Sequence, residues 1–272
     1  MNTDKTQSPA VSSGWQYQWQ LFLVALAFFT RIPIPKETPF TTERLNHANR
    51  YFGVIGIVVG LLISSIYLIS SILLPTSVAI ALAMISGLLI TGAFHEDGLA
   101  DVFDGFGGGW TVESKLNIMK DSRLGTYGAA ALFMGLGIKW VTLIELAKLN
   151  PLLPVYAFIV VHSLSRVTAA SLIFSYPYVR ADQDSKVKPL ANQQTRSDLQ
   201  ILLGTAVITL LVLPWPMAIM LAIITLLVRQ GCGYWFQRQL GGYTGDCLGA
   251  TQQLAEIAGY LTLLAIATHY HF

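Results

Sequence analysis

Apolar positions in this chain come in blocks, not at the three-or-four spacing of a helix that faces water on one side. Residues 51–74 run for 24 positions without a charge, and 75–94 add 20 more. A bilayer core about 30 Å thick takes roughly 20 apolar residues of helix, so each block is long enough to cross. Further blocks follow at 127–149, 151–174, 201–213, 215–228 and 248–269. The blocks 201–213 and 215–228 are short and meet at Pro214-Trp215-Pro216, which predicts a tight helical hairpin with ends reaching into the flanking residues. The stretch 19–29 has only 11 residues before Thr30-Arg31-Ile32-Pro33, and it either spans or re-enters. The pattern predicts an all-α, polytopic integral membrane helical bundle of about seven to eight segments. Residues 1–14 form a polar N-terminal tail, and 15–272 form a single membrane-embedded catalytic domain.

Composition agrees, with 53% hydrophobic and 12% charged residues against about 25% charged in soluble domains. The polar start lacks the basic n-region of a signal peptide. Two cysteines exclude a disulfide framework and give no zinc spacing. A net charge of +2 with no basic block argues against a nucleic-acid partner. The basic residues instead mark topology. The polar connections 31–50, 95–126, 175–200 and 229–246 hold thirteen of the 17 Lys and Arg residues, and they alternate with near-neutral connections at Pro75, Asn150 and Pro214. The positive-inside rule makes the basic side cytoplasmic.

That side also carries the most concentrated chemistry. "HEDGLADVFDGFGGGW", residues 95–110, packs four acids and five glycines into an otherwise oily chain. Asp97, Asp101 and Asp104 stand at i, i+4 and i+7, one stripe of a helix. Carboxylates so close repel one another unless something positive joins them. Oxygen-only ligands favour Mg²⁺, Mn²⁺ or Ca²⁺ over zinc, and Mg²⁺ commonly completes its shell with substrate phosphates. Gly98 and Gly105 thin the helix surface, and Gly107–Gly109 let backbone approach a ligand. The plain alternative is a solvated acidic loop; the single-face spacing and glycine interleaving favour a site.

Two more polar islands share this side. "IMKDSRLGTYG" holds Lys120, Asp121 and Arg123, and "GGYTGDCLGA" holds Thr244 and Asp246. Cations beside carboxylates suit a bound polyphosphate, although Asp121 or Asp246 alone would serve as helix caps. His95 adjoins the stripe and could act as a base or bind phosphate. Within the blocks, Lys139, Glu145, His162, Arg166 and Glu256 are costly in a membrane and so point to function. Arg166 either reaches toward phosphate or pairs with Glu256. Lys139 and Glu145 share no helical face and read as crevice or oligomer contacts, and His162 reads as a hydrogen-bonded interior histidine.

Five stretches occur in the order of one family: "FFTRIPIP", "HEDGLADVFDG", "IMKDSRLGTYGA", "SRVTAASL" and "GGYTGDCLGA". From about residue 15 to 269 the chain resembles the cobalamin synthase family, the adenosylcobinamide-GDP ribazoletransferases. The resemblance implies a multi-pass enzyme of the bacterial inner membrane that requires Mg²⁺. It would join adenosylcobinamide-GDP to α-ribazole, or its 5′-phosphate, and release GMP. By the same resemblance Asp97, Asp101, Asp104 and Asp246 hold the metal, while Lys120, Asp121 and Arg123 act in catalysis on the phosphate; His95, or an uncommitted acid beside it, takes the hydroxyl proton. Arg31, Gly105, Arg123, Arg166 and Thr244 contact substrate. Glu96 is left out of the ligand set, because the family does not always keep that position acidic. The expected partners are the two substrates and membrane lipid, with a homo-oligomer possible. A CDP-alcohol phosphotransferase continues its Asp-Gly differently from Asp97-Gly98-Leu99, and a corrinoid transporter would carry its acids at the midplane.

Overall fold

The computed structural model describes residues 14–179 and 193–269. The expected polar tail, Gly14 apart, lies outside these, as do Arg180, Lys186 and Lys188 of the third basic connection. Eleven α-helices follow in order: α1 (Trp15–Phe29), α2 (Thr42–Ala48), α3 (Phe52–Ser71), α4 (Thr76–Thr91), α5 (Phe94–Gly108), α6 (Val112–Ile118), α7 (Thr126–Leu149), α8 (Leu153–Ser175), α9 (Arg196–Leu210), α10 (Trp215–Leu240) and α11 (Gly245–His269). Among the described residues the only β feature is an isolated bridge between Tyr178 and Tyr243.

The apolar blocks become helices whose ends the sequence marks. Pro75 precedes α4, and Pro214 with Pro216 starts α10, where a missing N–H costs nothing. α10 ends on Gly241 at φ 80°, the left-handed stop that glycine adopts freely. A Thr195/Asp198 capping box opens α9. Among the described residues four helical stretches are long and apolar enough to cross a membrane: Thr42–Ser71, Thr126–Leu149, Leu153–Ser175 and Trp215–Leu240. A fifth arises if α4 and α5, which meet at 86°, count as one broken span. α1 and α9 have 15 residues each, about 22 Å of helix at 1.5 Å per residue, short of the hydrocarbon thickness. α11 has the length but carries buried Thr251, Gln252, Gln253 and Glu256, so its polarity keeps it out of that set.

α8 is the centre of the bundle, buried almost without interruption from Val160 to Ile173. It reaches α3 through glycine. A Cβ on Gly56 would land on the carbonyl of His162 and 2.6 Å from the Ser163 Cα, and one on Gly60 would lie 2.6 Å from the Phe158 carbonyl. Small residues that let two backbones meet are a membrane-helix device. Gly56→Ala is therefore expected to push α3 off α8 and cost about 1–3 kcal/mol, the usual range for overpacking. A thermal melt of the detergent-solubilised variant would check this, and an unchanged midpoint would contradict the close contact.

A buried carboxylate fastens α9. Asp198 accepts from Arg50 Nε at 2.7 Å and from the Thr195 N–H and hydroxyl at 2.9 and 2.6 Å, with His47 Nδ1 3.2 Å away. Asp198 thereby ties the start of α9 to the chain at 47–50.

Candidate active site

The site grows from the break between α4 and α5. Gly92 and Ala93 both take positive φ, 68° and 55°, and left-handed backbone at the alanine costs roughly 1–2 kcal/mol. Two features brace the turn. Arg31 N–H donates to the Ile90 carbonyl at 2.7 Å, and the Arg31 guanidinium lies where a Gly92 Cβ would sit. The stretch around Arg31 is thereby packed on the start of the acidic helix, and Arg31 itself stays exposed.

α5 carries Asp97, Asp101 and Asp104 along one continuous helix, but their surroundings differ. Asp97 is exposed and Asp101 half-buried. Asp104 is buried and accepts the backbone N–H groups of Gly125 and Gly128, each at 2.8 Å. Those are orphan donors of the first turn of α7, so Asp104 caps α7 from another helix. It also anchors the end of the loop that carries Lys120, Asp121 and Arg123. Gly105 gives room to α6, since a Cβ there would meet the Met119 side chain at 2.5 Å and the Lys115 carbonyl at 3.1 Å. Within the loop, Arg123 donates to Asp121 from Nε at 3.0 Å and also from Nη2. The Arg123 hydrogen bond holds the Asp121 carboxyl below its usual range. Both side chains and Lys120 are accessible.

The last motif arrives through glycine. A Cβ on Gly98 would lie 2.8 Å from the Asp246 carbonyl and 3.1 Å from the Gly249 Cα. The first turn of α11 is therefore pressed on α5 beside Asp97 and Asp101. Thr244, fully buried, accepts from the Cys247 N–H at 3.3 Å and caps that turn, which leaves the half-buried Asp246 at the seam. The "GGYTG" strip is held by paired hydrogen bonds with 177–179, Tyr243 N–H to Pro177 at 2.9 Å and Val179 N–H to Tyr243 at 3.0 Å.

His95 and Arg166 lie deeper. The His95 ring is 4% exposed and stacks on Phe29 at 5.8 Å, with Phe94 edge-on. That places it inside an aromatic cluster and not on the accessible face of Asp97. Arg166, 2% exposed, donates from Nη1 to His162, at the carbonyl (2.9 Å) and Nδ1 (3.2 Å), and its Nε has no protein partner. Two small interior cavities, about 30 and 20 Å³, share His95, Arg166 and Gln252 in their walls.

Behind the site is a cluster that sequence reasoning did not assemble. Lys139 of α7 bonds Gln253 at 2.7 Å and Glu256 at 3.0 Å, both on α11, and Glu256 faces His162 Nδ1 at 3.0 Å. Lys139 is therefore part of a buried ionic network, and it also lines the larger of the two small cavities. Glu256 is its partner in place of Arg166, while His162 is the interior histidine expected. Glu145 points elsewhere and pairs with Lys148 at 2.7 Å on an accessible face. The usable signal was the 252, 253, 256 run of polar residues inside an apolar helix.

Among the described residues no three His, Cys, Asp or Glu groups form a ready-made metal cage. Mg²⁺ does not need one, because one or two carboxylates plus water and substrate phosphates complete its octahedron. Asp97, Asp101 and Asp246 offer oxygen donors only, the donor type that Mg²⁺ takes.

Fold and site together define an all-helical protein of membrane type, with acidic side chains carried on one helix and the other motif stretches packed around it. Residues 21–264 match the family described as cobalamin-5-phosphate synthase. A Shewanella woodyi protein is 58% identical over 250 residues, covering 92% of this chain and 97% of its own, and one from Shewanella frigidimarina is 52% identical over 252 residues, covering 93% and 97%. Both are named adenosylcobinamide-GDP ribazoletransferase. The chain belongs to the cobalamin synthase family. No solved structure matches it.

Proposed function

We propose that this protein is an adenosylcobinamide-GDP ribazoletransferase: it joins α-ribazole, or its 5′-phosphate, to adenosylcobinamide-GDP and yields adenosylcobalamin, or its 5′-phosphate, with GMP. The observation that carries the reading is the identity above 50% along nearly the whole of both chains. The convergence of the motif stretches on α5 supports it independently.

A ribose hydroxyl of the ribazole attacks the cobinamide-linked phosphorus in line. One P–O bond forms, the diphosphate P–O bond breaks, GMP leaves, and the hydroxyl proton passes to a carboxylate of the α5 face. Lys120 and Arg123 hold phosphate oxygens, Arg123 by exchanging Asp121 for substrate, and Arg31, Arg166, Gly105 and Thr244 shape the substrate site. Asp97, Asp101 and Asp246 would hold Mg²⁺, with Asp104 keeping the adjoining loop in place; bound there, the ion would neutralise diphosphate charge. His95 orders the base of α5 from within the aromatic cluster.

We also read α9 and α11 as crossing segments beside the apolar helices, which makes seven, with α1 a candidate eighth. Residues 15–272 then form one domain in the inner membrane, and the basic connections place α5 and its loops on the cytoplasmic side. Purified protein in liposomes, given adenosylcobinamide-GDP and α-ribazole, is expected to release GMP with Mg²⁺ and not with EDTA. Folded protein that binds the corrinoid nucleotide yet releases no GMP would overturn the reaction and favour a corrinoid carrier. GMP release undiminished by EDTA would overturn the metal assignment alone.

A further inference from the structure

Glu96 stands next to Asp97 but faces the other way, into the bundle. Its side chain is 13% exposed, and Oε1 accepts from Gln253 Nε2 of α11 at 2.9 Å. Gln253 in turn accepts from Lys139, whose ammonium lies 3.9 Å from Glu96 and 3.0 Å from Glu256. The second Glu96 oxygen is buried without a protein partner. An unpartnered buried carboxylate oxygen costs stability, so an apolar side chain would hold the helices together better. What Glu96 adds is direction, since it ties α5 to one point on α11.

That tie has a location. Gln253 lies seven residues after Asp246, two turns along the same side of α11. Glu96 immediately precedes Asp97. Beside that tie the helices touch at Gly98 and Gly249, where neither has a side chain to set a register; a Gly249 Cβ would come within 3.2 Å of the Gly98 Cα. A glycine seam permits sliding, and the Glu96–Gln253 bond next to it is what resists it.

We propose that Glu96 is a positioning residue for the transfer reaction: through Gln253, backed by Lys139, it fixes α5 against α11 and so sets how far Asp97 and Asp101 stand from Asp246. It touches neither substrate. This rests on the function proposed above. A misplacement of about 1 Å can cost two orders of magnitude in rate, so a register link that contributes little to stability can matter greatly to turnover.

The test is a double-mutant cycle on GMP release in liposomes, using Gln253→Met, Glu96→Met and both together. Gln253→Met changes no charge and keeps the volume, so it is the variant expected to fold whatever Glu96→Met does. Each single change should lower kcat about tenfold or more with KM for both substrates within about twofold. The double variant should be no slower than the slower single, because both cut the same link. Gln253→Met at the wild-type kcat would overturn the proposal, and so would losses that multiply in the double variant. Wild-type protein without GMP release would instead sink the reaction assignment. The register claim then stands or falls on spin labels at Gly108→Cys and Leu261→Cys: a distance distribution that shifts or broadens in Gln253→Met supports it, and an unchanged one overturns it.

Discussion

Lys139→Met is expected to yield little folded protein. The ammonium is 7% exposed and lies 3.0 Å from Glu256, which also faces His162, and 3.9 Å from Glu96. Removing it leaves two buried carboxylates with no ammonium between them. Breaking a buried ion pair by deleting one partner costs about 3–5 kcal/mol, a large share of the 5–15 kcal/mol that holds a typical domain together. Replacing both members, Lys139→Met with Glu256→Met, removes the desolvation burden along with the attraction and should recover much of the loss. Yield and monodispersity after detergent extraction would check this. A single variant as well behaved as wild type would mean that the network is wetter than its burial implies.

Asp97→Asn is expected to fold normally and to lose activity. Asp97 is exposed in the first turn of α5, and its backbone N–H donates to Ala93 at 2.9 Å. The amide keeps the size and removes the negative charge. Losing one group that stabilises charge in the transition state typically costs 10²–10³ in rate, or about 3–4 kcal/mol. GMP release by Asp97→Asn should fall in about that range, with the melting midpoint unchanged. An unimpaired Asp97→Asn would remove this residue from the site and transfer the metal assignment to Asp101 and Asp246.

These two residues show what the sequence could and could not reveal. Apolar blocks declared the helices because burial in lipid leaves almost no polar positions, and Pro75, Pro214 and Gly241 declared their ends. The Asp97, Asp101, Asp104 spacing declared one helix, which α5 is. The separate job of Asp104 was hidden, because capping α7 depends on where the 125–128 backbone arrives and not on any local pattern. The α4–α5 break was hidden too: Gly92-Ala93 carries no proline, and an alanine at positive φ leaves no mark in a sequence. Lys139, Gln253 and Glu256 each look like isolated anomalies until α7 and α11 are packed side by side. The short α1 and α9 fell between categories, because 15 residues neither span comfortably nor rule out a tilted or buried course.

The 86° break also decides where the acidic helix lies. Had the helix run straight from Thr76 to Gly108, it would be a rod of about 50 Å, longer than a bilayer core is thick, and Asp97, Asp101 and Asp104 would stand at its far end away from the other helices. The left-handed pair Gly92 and Ala93 turns that rod aside and lays the aspartates against α11, where Gly98 meets the Asp246 backbone.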